Sequence, residues 1–544
     1  SGEGNNYTAV NLANSDVVTD TPTNNCMTLN PFEKTSSQPL TEGNLFAGSV
    51  SGETYAAATY YPTGGKFYYE YKLVQYSASG SAVAYFKHHS GSYIWNDVFG
   101  SSYQIVGSEG NTTISNNWAS GNIIQIAVDE TAGKLWYGRN NTWYTVDGTP
   151  NPATGSGPSH TFTTPSTQRP YIDIRTGGSQ VQIEANYGQR DFAYTPPSGF
   201  VAPTAKNLPE PAIPLPSEQF NTVIWTGNDA NNRTIPVGFA PDLTWFKQRT
   251  GTNSLALFDT VRGNSNPNGI SSNSNSQAFD WTGIFKGHTS NGFTVDAGTA
   301  SNASSNTYVS WNWKANGSGS TNNDGATATV SANQAAGFSI VKYANPSGSD
   351  VAIGHGLGVK PELWIVKNLD SDGDNFVYTT AIDGGGDYLK LNATDAANAW
   401  GGTVPTTSVW YETFSGGTGE DFICYLFASK EGFSKIGTYT GNGSATAGPF
   451  INTGFKPAWL LIKRVTQTGD YNWFIVDNKR DSFNVVDLIL SPDLSEAESS
   501  AGTFADFLSN GFKIFNSAPA INGDGATFIY MAFAESPFKT ANAR

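Results

Sequence analysis

Alternation with a period of two runs through the first 195 residues. In KFYYEYKLVQY, Phe67, Tyr69, Tyr71 and Leu73 fall on one side of an extended chain, and Lys66, Tyr68, Glu70 and Lys72 on the other. That period predicts a half-buried strand. NIIQIAVDETAGKLWYG reads as a hairpin, with one strand from Ile123 to Val128, a turn from Glu130 to Gly133, and a return through Leu135 to Tyr137. SQVQIEANYG puts Val181, Ile183 and Ala185 on one face. No stretch here keeps a helical period over three turns, so residues 1–195 are expected to form an all-β domain.

The pattern then changes. Residues 196–212 open a proline-rich run, PPSGFVAPTAKNLPEPAIPLPS, whose composition predicts an extended linker. Beyond it one phrase comes three times: GFAPDLTWFK (238–247), GVKPELWIVK (358–367) and GFKPAWLLIK (454–463). Both faces of the run after the proline are apolar, as in a strand buried between layers, and each run ends on lysine: Lys247, Lys367 and Lys463. The proline suits a first strand residue, where no ladder donor is needed. A second phrase closes each unit: TYVSWNWKA (307–315), DFICYLFAS (421–429) and TFIYMAFAE (527–535). The prolines Pro241, Pro361 and Pro457 are 120 and 96 residues apart, spacings that suit tandem domains and are too long for a solenoid. Three homologous β-rich domains are expected at 213–316, 322–430 and 431–544, with a flexible joint in ANGSGSTNNDG (315–325).

Composition narrows the class of protein. The chain has 544 residues, 14% charged, with 59 glycines and 25 Tyr, 32 Phe and 14 Trp, a mixture for short strands and tight turns. A net charge of −15 without a basic cluster argues against a nucleic-acid partner. No apolar run approaches a membrane span, so membrane insertion is not expected. SGEGNNYTAV has neither a signal-type apolar region nor an initiator Met, which suggests a processed or trimmed piece. Two cysteines, Cys26 and Cys424, supply no disulfide framework.

A resemblance follows from the ordered motifs. GGKFYYEYKL (64–73), IIQIAVDETAGKLWYGRNNTWY (123–144) and VQIEANYGQRDFAYTPPSGF (181–200) resemble, in this order, the SPRY-type β-sandwich, a concanavalin-like jelly roll. With DTPTNNCMTLNP (20–31) ahead and YTPPSGF behind, the region resembles modules of tailed-phage virion proteins, especially tail-fibre-like proteins of marine phages. The repeats, through FDTVRG (258–263) and YVSWNWKA (308–315), are similar to the C-terminal modules of the same proteins. The second repeat departs, reading TTAIDG, and the third keeps the Asp and Arg of VDNKRD. The resemblance implies a non-enzymatic structural protein at the particle surface, in a tail appendage more than the head. It also implies other virion proteins and a host-cell glycan or protein as partners, a homotrimeric assembly, and no cofactor.

The repeat serves as an internal control on candidate chemistry, since what recurs in every unit is architectural. Asp259 and Arg262 return as Asp477 and Arg480, with Thr380 and Asp383 read at these places in the second unit; the pattern predicts an ion pair or turn brace. Asp370, Asp372 and Asp374 alternate in a way that suits calcium, but Asn375 and Ala381 stand where an EF-hand loop needs Gly and Glu. A solvated turn is the preferred reading, with weak calcium binding as the alternative. His88, His89, His160, His288 and His355 show no ligand spacing. No catalytic, cofactor or metal residue is assigned. Tyr93, Trp95, Trp118, Trp143 and Tyr144, set among Gly, Ser and Asn, are the candidates for stacking on sugar rings. The competing readings are a head-surface decoration protein, a polysaccharide depolymerase, whose acid pair needs no sequence signature, and a bacterial surface adhesin.

Overall fold

Residues 66–76 form an 11-residue strand (Lys66–Tyr76) near the middle of an antiparallel sheet. The computed structural model describes residues 25–541, apart from 36, 49–51, 61–63, 77–82, 90–91, 97–101, 108–109, 116–117, 146–147, 165–169, 177–180, 264–267, 347–349, 413–416, 468 and 470. The chain divides into two compact units, residues 1–210 and 211–544.

The first unit is a two-sheet β-sandwich. One sheet runs, in spatial order, Thr142–Tyr144, Lys134–Arg139, Ile123–Asp129, Lys66–Tyr76, Val181–Asn186, Phe46–Ala47 and Leu40–Thr41, with His160–Thr161 paired to Lys134–Arg139. The other runs Leu29–Lys34, Gly52–Ala58, Tyr171–Thr176, Val83–His89, Ser92–Asn96, Ser102–Gly107 and Gly110–Ser115. The expected hairpin is present, Asp129 facing Lys134 across its turn. Phe67, Tyr69, Tyr71, Leu73, Val181, Ile183 and Ala185 are buried as their alternation predicts.

Two expectations change. The outer face of Lys66–Tyr76 is only partly open to solvent: Lys72 and Val74 are exposed, but Tyr68 and Glu70 are buried, because residues 192–200 fold back over them. Glu70 accepts hydrogen bonds from the Tyr68 hydroxyl (2.6 Å) and from the backbone N–H of Ala193 (2.8 Å) and Tyr194 (3.0 Å). The proline-rich run is likewise no free spacer at its start. Tyr68 N–H donates to the Val201 carbonyl, Val201 N–H donates to that of Lys66, and the Phe200 ring meets Trp136 edge-on at 6.1 Å.

In the second unit each repeat contributes three corresponding strands. The opening strands are Phe220–Thr226, Phe338–Ala344 and Ser434–Thr440. The proline strands are Leu243–Gln248, Leu363–Asn368 and Phe455–Arg464, and the closing strands Thr307–Trp313, Asp421–Phe427 and Thr527–Pro537. In every repeat the closing strand lies between the other two. Pro241 and Pro361 stand ahead of their strands, whereas Pro457 lies inside its own, at a register shift that accommodates the missing donor.

Both faces of these strands are buried, for different reasons. One face packs on a second sheet within its own repeat: Phe246 and Phe258 in the first, Trp364 and Leu426 in the second, Leu460 and Tyr530 in the third. The other faces meet in a single core common to all three repeats. Trp313, Phe427 and Phe533, at equivalent positions, form a layer with centroids 5.7 to 6.2 Å apart. Trp311, Tyr425 and Met531 follow, then Val309, Ile423 and Ile529. The stretch 315–325 is not a loose joint: Ser320–Asn322 pairs with Ala328–Asn333, and the Gly317 carbonyl accepts from the Thr260 hydroxyl (2.8 Å).

Candidate functional site

The three lysines, each next to last in its proline strand, are buried, although lysine is rarely so. Each ammonium reaches one carbonyl of its own loop and one of another repeat. Lys247 donates to Gly251 and Ser495, Lys367 to Gly373 and Asn275, and Lys463 to Tyr471 and Thr394. Two residues on, the carbonyls of Arg249, Leu369 and Val465 accept from the N–H of Glu498, Ala278 and Ala397. A short segment of the third repeat is thus held by the first, one of the first by the second, and one of the second by the third. The ring closes within one chain.

Burial pulls each of these lysines from 10.5 to about 8. Between those values the unfolded chain keeps protons that the folded chain has released, so stability rises with pH across that window. The melting temperature is expected to be higher at pH 9.5 than at pH 7.5, and Lys463→Met to flatten the rise by about a third. Above pH 10 buried tyrosines such as Tyr425 and Tyr439, whose pKa burial raises, reverse the slope. A flat profile from pH 7.5 to 9.5 would show that the lysines stay charged without cost.

The acidic triplet belongs to the same architecture. Asp370 accepts from the Asp421 N–H (2.7 Å) at the start of the closing strand, the place taken by the hydroxyls of Thr250 and Thr466 in the other repeats. Asp372 accepts from Gln277 N–H (2.9 Å), and Asp374 pairs with Asn392 and Lys390. The three carboxylates therefore serve separate partners. Among the described residues no group of three His, Cys, Asp or Glu side chains gathers to hold a metal.

The Asp–Arg pairs brace the junctions. Arg262 bonds Asp259 (2.6 Å), whose other partner is the Tyr425 hydroxyl of the second repeat (2.8 Å). Arg480 bonds Asp477 (2.6 Å), which accepts from the Trp311 indole of the first repeat (3.1 Å). Register corrects the reading of the second repeat. Leu243, Leu363 and Trp459 face Asp259, Thr379 and Asp477, so the counterparts are Thr379 and Ile382, not Thr380 and Asp383. At the matching place in the third repeat stands Met531, which has no proton to offer. Where the donor is absent, so is the acid.

Glu498 adds a bidentate bond to Arg249 (2.9 and 2.7 Å) and one to Arg480 (3.0 Å). Ion pairs therefore concentrate where the first repeat meets the third, while Leu369 and Val465 replace Arg249 at the other junctions.

The histidines stay apart in role. His355 accepts from Leu357 N–H through Nδ1 and meets the Thr406 carbonyl through Nε2; His288 meets the Thr244 hydroxyl, and burial lowers both to about 4. His160 is buried against Phe162. The side chains of His88 and His89 lie outside the described residues. Cys26 and Cys424 are buried and unbridged.

Of the proposed sugar-contacting aromatics, Tyr93 and Trp95 lie on Ser92–Asn96, and their side chains fall outside the described residues. Trp118 corrects the expectation: it is 2% exposed, with Phe86 at 5.5 Å and Tyr76 at 6.3 Å, because the sandwich interior needs its bulk. Trp143 and Tyr144 are half-buried on the edge strand Thr142–Tyr144. The indole of Trp143 lies over Gly138, where a Cβ would come within 2.9 Å of it, and its edge meets Tyr68. Asn140, Asn141 and Thr142, all exposed, sit beside it.

A family model described as Domain of unknown function (DUF7483) matches residues 215–537, a span that takes in all three repeats and stays within the second unit. Solved structures to which the chain is similar include the following three. The SPRY domain of human HERC1 is 14% identical, over 30% of this chain and 99% of that one, with a TM-score of 0.22. The carbohydrate-binding module CBM66 from Bacillus subtilis is 6% identical, over 29% and 91%, with a TM-score of 0.18. The exoplasmic/lumenal domain of VIP36, in its Ca2+/Man3GlcNAc-bound form, is 9% identical, over 32% and 86%, with a TM-score of 0.19. No curated protein matches the chain.

Proposed function

We propose, for a chain that belongs to the DUF7483 family, a non-enzymatic structural role on a phage particle, as a tail fibre or fibre-like appendage. Its sandwich presents a glycan-recognising surface to the host. The observation that carries this reading is how the polar side chains are used. The three lysines and the acids Asp259, Asp372, Asp477 and Glu498 of the second unit are spent on holding repeats together, whereas Trp143 and Tyr144 stay partly open beside Asn140, Asn141 and Thr142. An aromatic face flanked by amides and hydroxyls suits a sugar ring, which offers C–H groups to the ring and hydroxyls to the rim. The phage assignment is supported by the sequence resemblance.

The test is binding to an array of bacterial surface glycans. Wild-type chain is expected to bind a subset, and Trp143→Ala to weaken that binding at least tenfold with its melting temperature lowered by only a few degrees. Equal binding by both would refute the role of Trp143. Release of free sugars from the array would overturn the non-enzymatic reading in favour of a depolymerase.

A second reading, a head-surface decoration protein, draws on the ring of repeats, which buries its core without a second chain. Light scattering during gel filtration separates the two. A trimer is expected of a fibre and a monomer of a decoration protein.

A further inference from the structure

The corner braced by arginine in two repeats is built differently in the second. In the first repeat Arg262 reaches Asp259, the Leu257 carbonyl (2.9 Å) and the Asn268 carbonyl (3.0 Å). In the third, Arg480 reaches Asp477 and the Ile475 carbonyl (2.9 Å). Each corner thus sets an arginine on an acid, and the third adds Glu498 to the same arginine (3.0 Å). The second repeat has Thr379 for the acid and Ile382 for the arginine, and Ile382 packs on the common core.

Two acids stand there instead. Asp387 lies directly across the ladder from Thr379 and, by alternation, on the face of Leu389, which is part of the common core. It is only 9% exposed, and its Oδ2 is buried with no hydrogen-bond partner. The group facing it is the carboxylate of Asp383, whose Oδ1 accepts from the Gly385 N–H (2.7 Å) and whose side chain is open to solvent. Among the described residues no ion pair reaches either acid. Burial, with Asp383 adding to it, raises the Asp387 pKa. The three residues between them are glycines, and the floor of the loop is the Trp400 indole, which a Cβ on Gly386 would strike at 2.4 Å. A buried carboxyl whose side-chain hydrogen bond is to a second carboxyl, at a solvent-open loop, is a costly arrangement for two charged acids unless a proton or a cation joins them.

We propose that Asp383 and Asp387 bind a divalent cation, calcium being the one tested, which stands in for the arginine that braces the same corner in the other two repeats. Two carboxylates offer hard oxygen ligands, and the open loop leaves room for the waters that would complete a calcium shell. So few protein ligands suit binding at millimolar rather than micromolar calcium.

The test is thermal unfolding of the full chain in 10 mM CaCl2 against NaCl of equal ionic strength, with calcium binding followed by titration calorimetry. Calcium is expected to raise the melting temperature by about 2 °C. Asp387→Asn, which keeps the shape, and Asp383→Ser, at an exposed position, should each abolish both the shift and the heat of binding. If Asp387→Asn raises the melting temperature equally with and without calcium, the acids share a proton and the proposal fails. It fails also if the calcium shift survives both substitutions and is lost in Asp372→Asn, which would place the ion in the neighbouring loop.

Discussion

Replacing Arg480 by isoleucine is expected to cost about 3–5 kcal/mol of unfolding free energy, the penalty for leaving a buried charge without its partner. The side chains of Asp477 and Arg480 are both inaccessible to solvent, so water cannot take the arginine's place. The second substitution, Asp477→Thr, makes the position match the second repeat, which manages the same corner with Thr379 and Ile382. The double variant is therefore expected to recover at least about 2 kcal/mol of the loss, since removing both members of a buried pair costs far less than removing one. Urea unfolding followed by tryptophan fluorescence measures both. A double variant no more stable than Arg480→Ile alone would mean that the arginine acts through packing and its bond to the Ile475 carbonyl rather than by neutralising Asp477.

A chain cut after residue 430 is expected to lose the whole second unit, not one domain of it. The cut removes Trp459, Met531 and Phe533 from the common core, leaving Trp311, Trp313, Tyr425 and Phe427 facing solvent along one continuous surface. An apolar patch of that kind drives aggregation or self-association. It also removes the segment around Ser495 that Lys247 holds. Solubility and gel filtration of the truncated chain decide the matter. A soluble folded monomer would mean that each repeat stands alone. The same logic makes Trp313→Ala costly, about 3–5 kcal/mol, since Phe220, Phe338, Phe427, Trp459 and Phe533 all pack on that ring. Hydrogen exchange should then speed up in the proline and closing strands of all three repeats.

Much of the architecture was legible in the chain. Period-two alternation identified the strand at residues 66–76 and the hairpin at 123–139, because a sandwich interior admits large apolar side chains on one face of the strand. The proline and closing phrases marked corresponding strands, because the three repeats solve the same packing problem. The Asp–Arg pairs were correctly read as braces, yet their counterparts in the second repeat were placed one residue off at Thr380. Only pairing across the ladder showed that Thr379 faces Leu363.

The segments that lock the ring leave only a faint trace in the sequence. Thr394–Ala397 and Ser495–Glu498 share a hydroxyl, an acid and an alanine in order, but Asn275–Ala278 lacks the acid, since all three are held by backbone carbonyls and N–H groups, which every residue type carries. The apolar second face of each proline strand could be read as buried, but what it was buried against could not. A strand's pattern records that water is excluded, and it does not record by which neighbour. Residue order therefore settled that this chain is all-β and threefold repeated, with a lysine near the end of each proline strand. That the three repeats close on one core, that those lysines fasten one repeat to another, and that Trp118 is interior while Trp143 sits at an edge follow from contacts between residues far apart in the chain. Such contacts depend on shape and on main-chain groups, and a one-dimensional pattern of side chains does not carry them.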